Sequence, residues 1–314
     1  MLNRRHIRIK VMQLLFAFRG TESDDLKKYE NMLQRSMDGM FELYLLVISL
    51  LLEVRLRAVE YTKLERKKHL ATAAERIPNT KFVDNQLLIK IAESKRLEEL
   101  VQSRKLNNWK ENDEYVDLIF KAIRKSPVYE KYMSDRVNSF EEDKSFILDI
   151  YKQIIAPNDK LYSYYEDCKI TWLDDLPVIN TLFVKLIKRS SPSSSGDLLI
   201  PGLFRDEEDR QFGFDLMNKT ILNLSFLTGI IEEKTMNWDK DRIANLDLVL
   251  LQMAICEIEK FPSIPVKVTI NEYLEIAKEY STPKSSNFIN GILDKTVKEH
   301  QAKGTLNKAG RGLM

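Results

Sequence analysis

Basic side chains cluster at the start of the chain, in a segment with helical spacing. From Asn3 to Arg19 there are four arginines, one lysine and no acid, which gives a local charge of +5. Guanidinium groups bind phosphate oxygens in bidentate fashion, and a nearby aromatic ring can stack an unpaired base. The sequence therefore predicts a surface for single-stranded nucleic acid. Its candidate residues are Arg4, Arg5, Arg8, Lys10, Gln13 and Phe16. The alternative is an ordinary solvated helix face with Phe16 in the core.

A second polar and aromatic group falls near the predicted start of the last long helix. Its members are Lys284, Ser285, Asn287 and Phe288. The first turn of a helix offers unpaired N–H groups and a partial positive charge, which suit phosphate or base oxygens. The serine and asparagine could bond base edges, and the phenylalanine could stack. The alternative is a plain helix cap with Phe288 packed inside.

The sequence shows no pattern typical of an enzyme active site. Glu272 and Asp294 could be paired carboxylates, but no nucleophile or glycine-rich loop lies nearby, so we interpret both as helix-surface or capping acids. The chain has no P-loop and no dinucleotide fingerprint, and its three histidines lack zinc-ligand spacing. We therefore predict a binding protein that uses no cofactor or metal.

The composition favours a globular, all-α protein. Only 10 of the 314 residues are glycine, and long stretches are rich in Leu, Lys, Glu and Ile. The net charge is +2, so any nucleic-acid site must be a local patch. Cys168 and Cys256 are widely separated, as expected for reduced cysteines. The most apolar run, 41–52, contains Glu42 and is shorter than the roughly 20 residues that span a bilayer. We expect a cytoplasmic protein.

Hydrophobic spacing predicts the helices that must position the two groups. A first helix covers residues 3–19 and ends at Gly20, and a second begins near Leu26, after a cap at 23–25, and continues to about Ala74. Helices then continue to about Arg189, with breaks at three prolines. The first helix should bury Ile7, Val11, Leu14 and Phe18. A serine-rich segment, 190–197, is the clearest linker.

The C-terminal third has its own predicted pattern. The helix after Pro265 should bury one apolar stripe, and Thr282 with Pro283 should cap and start the next helix. We interpret Gly291 as a point of close approach between helices. The stripe consists of Val266, Ile270, Tyr273, Leu274 and Ala277. Upstream, the segment 206–239 carries Phe212, Leu216, Thr220 or Ile221, and Leu224 on one helical side.

Three stretches, in family order, resemble the NusB family of transcription antitermination factors. RRHIRIKVMQLLFAF (4–18) is similar to the family's arginine-rich first helix. NWDKDRIANLDLVLLQMAICEIEKF (237–261) resembles the helix before the C-terminal signature. IPVKVTINEYLEIAK with KSSNFINGILDK (264–295) resembles the signature itself. The segment DEEDRQFGFDLMNKTILNLSFLTGIIEEKTMNWD also resembles the family's middle helix.

The resemblance implies an all-α, NusB-like double helical bundle. Since the chain is more than twice the usual family length, it also implies a large helical insertion. The expected division is a discontinuous RNA-binding core over 1–30 and 202–300, a helical insertion over 31–201 and a flexible tail over 301–314. The upstream edge of the insertion stays open, because the family's second helix could survive within 26–60.

The resemblance also implies a function. Family members bind boxA RNA together with NusE, a ribosomal small-subunit protein, and join the RNA polymerase elongation complex, notably on ribosomal RNA operons. The two residue groups above would form one RNA groove, and Asp247 would contact the partner protein. His6 departs from the usual arginine, and Lys284 replaces a usual acid, which should strengthen RNA attraction. Alternatives are a protein-interaction adaptor without RNA binding, an accessory module of ribosome biogenesis and an RNA-modifying enzyme.

Overall fold

The computed structural model of the protein describes residues 1–19, 25–66, 77–235 and 243–310. Within these ranges the regular secondary structure is helical and contains no strand, so the predicted all-α class is confirmed. In chain order the α-helices are α1 (Arg4–Ala17), α2 (Leu26–Arg66), α3 (Gln86–Ala92), α4 (Lys95–Ser103), α5 (Asn108–Glu111), α6 (Asp113–Arg124), α7 (Pro127–Tyr132), α8 (Phe140–Ile150), α9 (Asp159–Cys168), α10 (Trp172–Arg189), α11 (Glu207–Leu222), α12 (Leu224–Lys234), α13 (Asn245–Lys260), α14 (Val266–Tyr280) and α15 (Ser285–Lys303). A π-helical turn, Tyr151–Ile155, extends α8, and a 3₁₀ helix, Gly196–Leu199, follows α10.

The chain forms two compact units. The first contains Met1 and Asp38–Gly202, and the second contains Leu2–Met37 together with the chain from Leu203 onward. We predicted domain boundaries between residues 30 and 31 and between residues 201 and 202. The interpretation of the middle segment as an insertion into a family core stays a prediction. Gly20, the cap residues Ser23 and Asp24, and the predicted end of the second helix near Ala74 lie outside the described residues.

In the first unit, the middle of α2 is buried on almost every side. Its run from Leu43 to Ile48 is 0–3% exposed. A helix that is apolar all round must be covered by other elements. Two indole N–H groups bond its backbone: Trp109 donates to the Leu46 carbonyl at 2.9 Å, and Trp172 donates to the Gly39 carbonyl at 2.8 Å.

The serine-rich segment that we predicted as a linker is instead packed into the first unit. Gly196 is buried, and a Cβ at this position would lie 2.0 Å from the Lys90 carbonyl oxygen. Lys90 Nζ also donates to the Ser194 carbonyl at 3.2 Å. The linker prediction was wrong because serine and glycine here permit close backbone approach to α3. The predicted break at Pro177 was also wrong, since that proline lies inside α10.

In the second unit, α13 is the central helix. It packs against α1, α11, α12, α14 and α15, and every residue from Val249 to Ile258 is buried. The first helix lies on α11 and α13, with Ile7, Val11 and Leu14 buried as predicted. Phe18 is half-buried, with its ring edge-on to the ring of Tyr29.

Glycine marks the tightest helix contact of this unit, at a different position from the one predicted. A Cβ on Gly213 would lie 2.8 Å from Ile7 Cγ2, so a side chain here would clash with α1. Gly291 is exposed and has no such neighbour within 4 Å. The prediction for Gly291 was therefore wrong.

Helix boundaries in the C-terminal third also differ from prediction. The middle helix is divided at Asn223 into α11 and α12, and Leu224 is 46% exposed instead of buried. The buried face of α14 is rotated relative to the predicted stripe. Its buried residues are Thr269, Tyr273, Ile276 and Ala277. The last helix begins at Ser285, two residues after the predicted start at Pro283, and continues to Lys303. Among the described helices, none combines the length and apolar composition needed to cross a membrane.

Candidate functional site

Arg8 forms a buried ion pair inside the second unit. Its Nε and Nη2 donate to the two carboxylate oxygens of Glu257 at 2.8 and 2.7 Å, and the two side chains are 2% and 0% exposed. Thr269 and Tyr273 donate their hydroxyls to the same carboxylate at 2.7 and 3.2 Å. We expected Arg8 to bind phosphate. The structure revises this role, because two guanidinium nitrogens of Arg8 are bonded to Glu257 and only 2% of the arginine side chain is exposed.

Arg5 and Arg4 lie closer to solvent, and both have acidic partners. Arg5 donates from Nε and Nη2 to the two oxygens of Glu272 at 2.8 Å each, with 41% of its side chain exposed. Arg4 Nε donates to Asp209 at 2.8 Å, and its Nη2 is bonded to Glu208. Glu272, which we interpreted as an ordinary helix-surface acid, is therefore part of this charged cluster.

These side chains surround a groove of about 950 Å³. Its lining comes from α1, the start of α11, the α13–α14 turn, α14 and the segment after α15. The residues that define its chemistry are Arg4, Arg5, His6, Arg8, Glu208, Ile264, Pro265, Val268 and Glu272. The segment after α15 closes one side, where Ala309 N–H donates to the Pro262 carbonyl at 3.0 Å. The groove combines guanidinium groups with a partly apolar wall.

Electrostatic effects within the groove follow from this arrangement. Burial alone would lower the pKa of Arg8, but the Glu257 carboxylate outweighs it and raises that pKa above the ordinary value. The hydrogen bonds from Arg5 hold the pKa of Glu272 below its usual range. Burial, assisted by the positive charges of Arg5 and Lys10, lowers the pKa of His6. These shifts favour the charged forms of Arg8 and Glu272 and the neutral form of His6.

The other predicted residues of the first helix have different surroundings. Lys10 is 3% exposed, so its side chain cannot meet a ligand at the surface in this conformation. Gln13 is half-buried, and Phe16 is 46% exposed, which excludes the alternative that Phe16 is core. Arg19 Nη1 donates to the side-chain and backbone oxygens of Asn245 at 2.7 and 3.0 Å. The end of α1 is thereby bonded to the start of α13.

Asp247 has a structural role that the sequence did not reveal. Its side chain is buried, and its two oxygens accept hydrogen bonds from Ser281 and Ser285 at 2.6 and 2.7 Å. We expected Asp247 to contact a partner protein and Ser285 to bind a base. The structure revises both roles, because the carboxylate and the two hydroxyls are bonded to one another and hold the α14–α15 turn.

The remaining predicted residues surround this turn. Lys284 and Asn287 are exposed, and Phe288 is half-buried. Lys284 occupies the N-cap position, and the Ser285 hydroxyl accepts from Thr282 N–H at 3.2 Å, so Thr282 is not the cap that we predicted. The arginines instead line the groove beside the start of α14. Among the described residues that line this groove, none is Lys284, Ser285, Asn287 or Phe288, so a single groove formed by both groups stays a prediction.

Comparison with known proteins places the second unit in a family. The sequence model of the NusB family matches residues 198–298. A transcription antitermination protein NusB of Salinibacter ruber is 42% identical over 112 residues, which are 36% of this chain and 70% of that protein. The chain belongs to the NusB family. Proteins of the same name from Chloroherpeton thalassium and Alkaliphilus oremlandii are 44% and 42% identical over 109 and 94 residues.

Coverage of these NusB proteins is partial. The chain spans 52% of the length of the Chloroherpeton protein and 68% of the Alkaliphilus protein, with 35% and 30% of its own residues aligned. No solved structure matches the chain. The NusB match covers α11 to most of α15, and α1 lies outside it. The ion pairs of Arg4, Arg5 and Arg8 nevertheless bond α1 to that region.

The acidic partners of the arginines are functional candidates that sequence reasoning missed. Glu257 lies within a run of apolar residues, and a lone acid in such a run is rarely buried without a cationic partner. That signal could have identified it. No comparable signal marks Glu208, which lies in an acidic first turn and resembles any solvated helix start.

Proposed function

We propose that this protein is a transcription antitermination factor that binds boxA-type RNA jointly with NusE and joins the RNA polymerase elongation complex. Its action is binding and not catalysis. Cationic side chains neutralise phosphates, an aromatic ring stacks a base, and the protein partner adds a second interface. Two weak interfaces on one RNA–protein assembly then give a usable affinity.

Membership of the NusB family carries this proposal. The three relatives compared here are each named a transcription antitermination protein. Since α1 is ion-paired to the family-matched helices, the basic first helix belongs to the same folded unit. The proposed RNA-binding surface is therefore built on the region that identifies the family.

The exposed members of the two predicted groups form the proposed RNA contacts. Arg4 and Arg5 supply charge at the groove, and Phe16 supplies an exposed ring on the same helix. Lys284 and Asn287 are exposed at the second location and supply one cation and one amide. Gln13 and Phe288 are half-buried; Gln13 lies on α1 three residues before Phe16, and Phe288 follows Asn287. Arg8, Lys10, Ser285 and Asp247 act beneath the surface, where they position the helices.

Fluorescence anisotropy with a labelled boxA-type RNA and a scrambled RNA of equal length tests the proposal, with and without NusE. The wild-type chain should prefer the boxA-type RNA, and NusE should tighten the complex. Arg5→Gln and Lys284→Asp should each weaken binding and reduce its salt dependence, because each removes a phosphate contact. Lys298→Asp is the matched control, since Lys298 is exposed further along α15 and carries the same charge.

Two results would contradict the proposal. Equal affinity for the two RNAs, with and without NusE, would contradict sequence-specific RNA binding. Binding that is unchanged in both Arg5→Gln and Lys284→Asp would remove the assigned surface. Binding of NusE without any RNA affinity would favour the protein-interaction adaptor.

A further inference from the structure

The two outer arginines of the groove share a feature that bears on RNA binding. Each is already bonded to a carboxylate that is itself partly exposed. Glu272 occupies one edge of the Arg5 guanidinium, formed by Nε and Nη2, and 21% of the glutamate side chain is exposed. Glu208 is bonded to Arg4 with 73% of its side chain exposed. A phosphate that binds side-on would use the same Nε and Nη2 donors, because carboxylate and phosphate both accept two parallel N–H bonds.

The Arg4–Glu208 pair can open without losing the arginine's position. Arg4 has a second partner, Asp209, which is 5% exposed and bonds Nε, so the guanidinium stays in place if Glu208 moves away. Glu272 also has a second neighbour, since Arg8 Nη1 lies 3.8 Å from its Oε2. The Arg8–Glu257 pair differs, because both of its side chains are buried.

We propose that Glu272 and Glu208 are affinity-determining residues that compete with the RNA backbone for Arg5 and Arg4. This inference rests on the proposed function and concerns the same groove. In the free protein Glu272 occupies Nε and Nη2 of Arg5, and Glu208 occupies Nη2 of Arg4. A bound RNA phosphate displaces them, so part of the binding free energy is used in opening the ion pairs. This cost weakens a nonspecific RNA complex, which has few other contacts, more than a complex in which the RNA binds the groove and the partner protein together.

Neutralising each carboxylate tests this inference. Glu272→Gln and Glu208→Gln should each bind the labelled boxA-type RNA about 2- to 5-fold more tightly near 0.1 M salt, a range typical for opening a partly exposed ion pair. The gain should be larger for the scrambled RNA, which lacks other specific contacts. It should shrink as salt rises, because screening weakens both the ion pair and the phosphate contact.

Glu275→Gln is the matched control. Glu275 is exposed on the same helix and is paired with Lys278 at 2.6 Å, not with a groove arginine. The control removes one negative charge from the same region without freeing a guanidinium edge, so its effect should be clearly smaller. Thermal unfolding of each variant, and the histidine titration of Glu272→Gln, verify folding. Since Glu272 raises the pKa of His6, that pKa should fall in the variant.

The outcomes separate this inference from the proposed function. If the wild-type protein binds boxA-type RNA and the Glu272 and Glu208 variants match Glu275→Gln, the competition is absent while the RNA-binding function stands. If the wild type and all variants fail to bind either RNA, both proposals are overturned. If only the Glu272 and Glu208 variants bind, the competition is supported in its strongest form.

Discussion

The guanidinium group of Arg8 forms a bidentate pair with the carboxylate of Glu257, although 249 residues separate them in the chain. The pair connects the first helix to the central helix of the second unit. The carboxylate also accepts bonds from two hydroxyls on α14, so a single acid joins three helices. A residue type expected at an RNA surface thus serves the interior, and Arg4 and Arg5 are the arginines that we propose for RNA binding.

Replacing Arg8 by methionine should strongly destabilise the second unit. The buried Glu257 would lose its cationic partner, and removing one member of a buried ion pair typically costs about 3–5 kcal/mol. The measurement is the free energy of unfolding in denaturant. A double variant, Arg8→Met with Glu257→Gln, should recover much of the loss, since the amide is neutral and its oxygen still accepts from Thr269 and Tyr273.

The control for the buried pair is Lys278→Met, which opens the exposed pair with Glu275 on α14. Its unfolding free energy should stay essentially unchanged. If Arg8→Met were no more damaging than Lys278→Met, the assigned interior role of Arg8 would be wrong.

Two glycine-to-alanine substitutions should have opposite effects on stability. Gly213→Ala places a methyl group 2.8 Å from Ile7 Cγ2 and should destabilise by about 1–3 kcal/mol through overpacking. Gly291→Ala meets no neighbour within 4 Å in a helix and should stabilise by about 0.5–1 kcal/mol. Thermal unfolding of both variants would show the contrast, and a stabilising Gly213→Ala would contradict the close contact between α1 and α11.

Removing the Asp247 carboxylate should loosen the start of α15. Asp247→Ala leaves the Ser281 and Ser285 hydroxyls without their acceptor and should cost about 1–3 kcal/mol. Hydrogen exchange should report the change at the first turn of α15. The comparison is Asp294→Ala, because Asp294 is an exposed acid further along α15. If Asp247→Ala weakened NusE binding and left exchange and stability unaltered, Asp247 would be a contact residue after all.

His6 should make the folded protein less stable as the pH falls below its ordinary pKa of 6.5. Because the folded-state pKa is lowered, the unfolded chain binds more protons in the interval between the folded value and 6.5. Stability therefore rises with pH across that interval and is lost on acidification. His6→Gln should remove this part of the pH dependence. A His6 ring titration by NMR with a midpoint at or above 6.5 would contradict the prediction.

Local patterns predicted much of the second unit. The period of Ile7, Val11 and Leu14 predicted the buried face of α1. In the first unit, the predicted break at Pro127 lies at a helix boundary, where Ser126 caps α7. These features depend on neighbours within one or two turns, which is the range that a sequence period can report.

The site was less predictable because its contacts are distant in sequence. Periodicity places Arg8 beside Arg5 but does not show which acid each one meets. Whether an arginine faces water or a buried glutamate depends on a helix more than 200 residues later. The same limit applies to Gly213 and Gly291, since a glycine's need for space is set by the opposing helix. The role of Asp247 depended on two serines on another turn.

The separation between α1 and its partner helices has a consequence for biosynthesis. As the chain leaves the ribosome, α1 emerges before α11 and α13, the helices that cover Ile7 and Val11. The helices that receive it are translated only after all of Asp38–Gly202. Asp38–Gly202 is therefore synthesised before α11 and α13 can cover α1, and a nascent chain that ends before Glu257 lacks the carboxylate that pairs with Arg8.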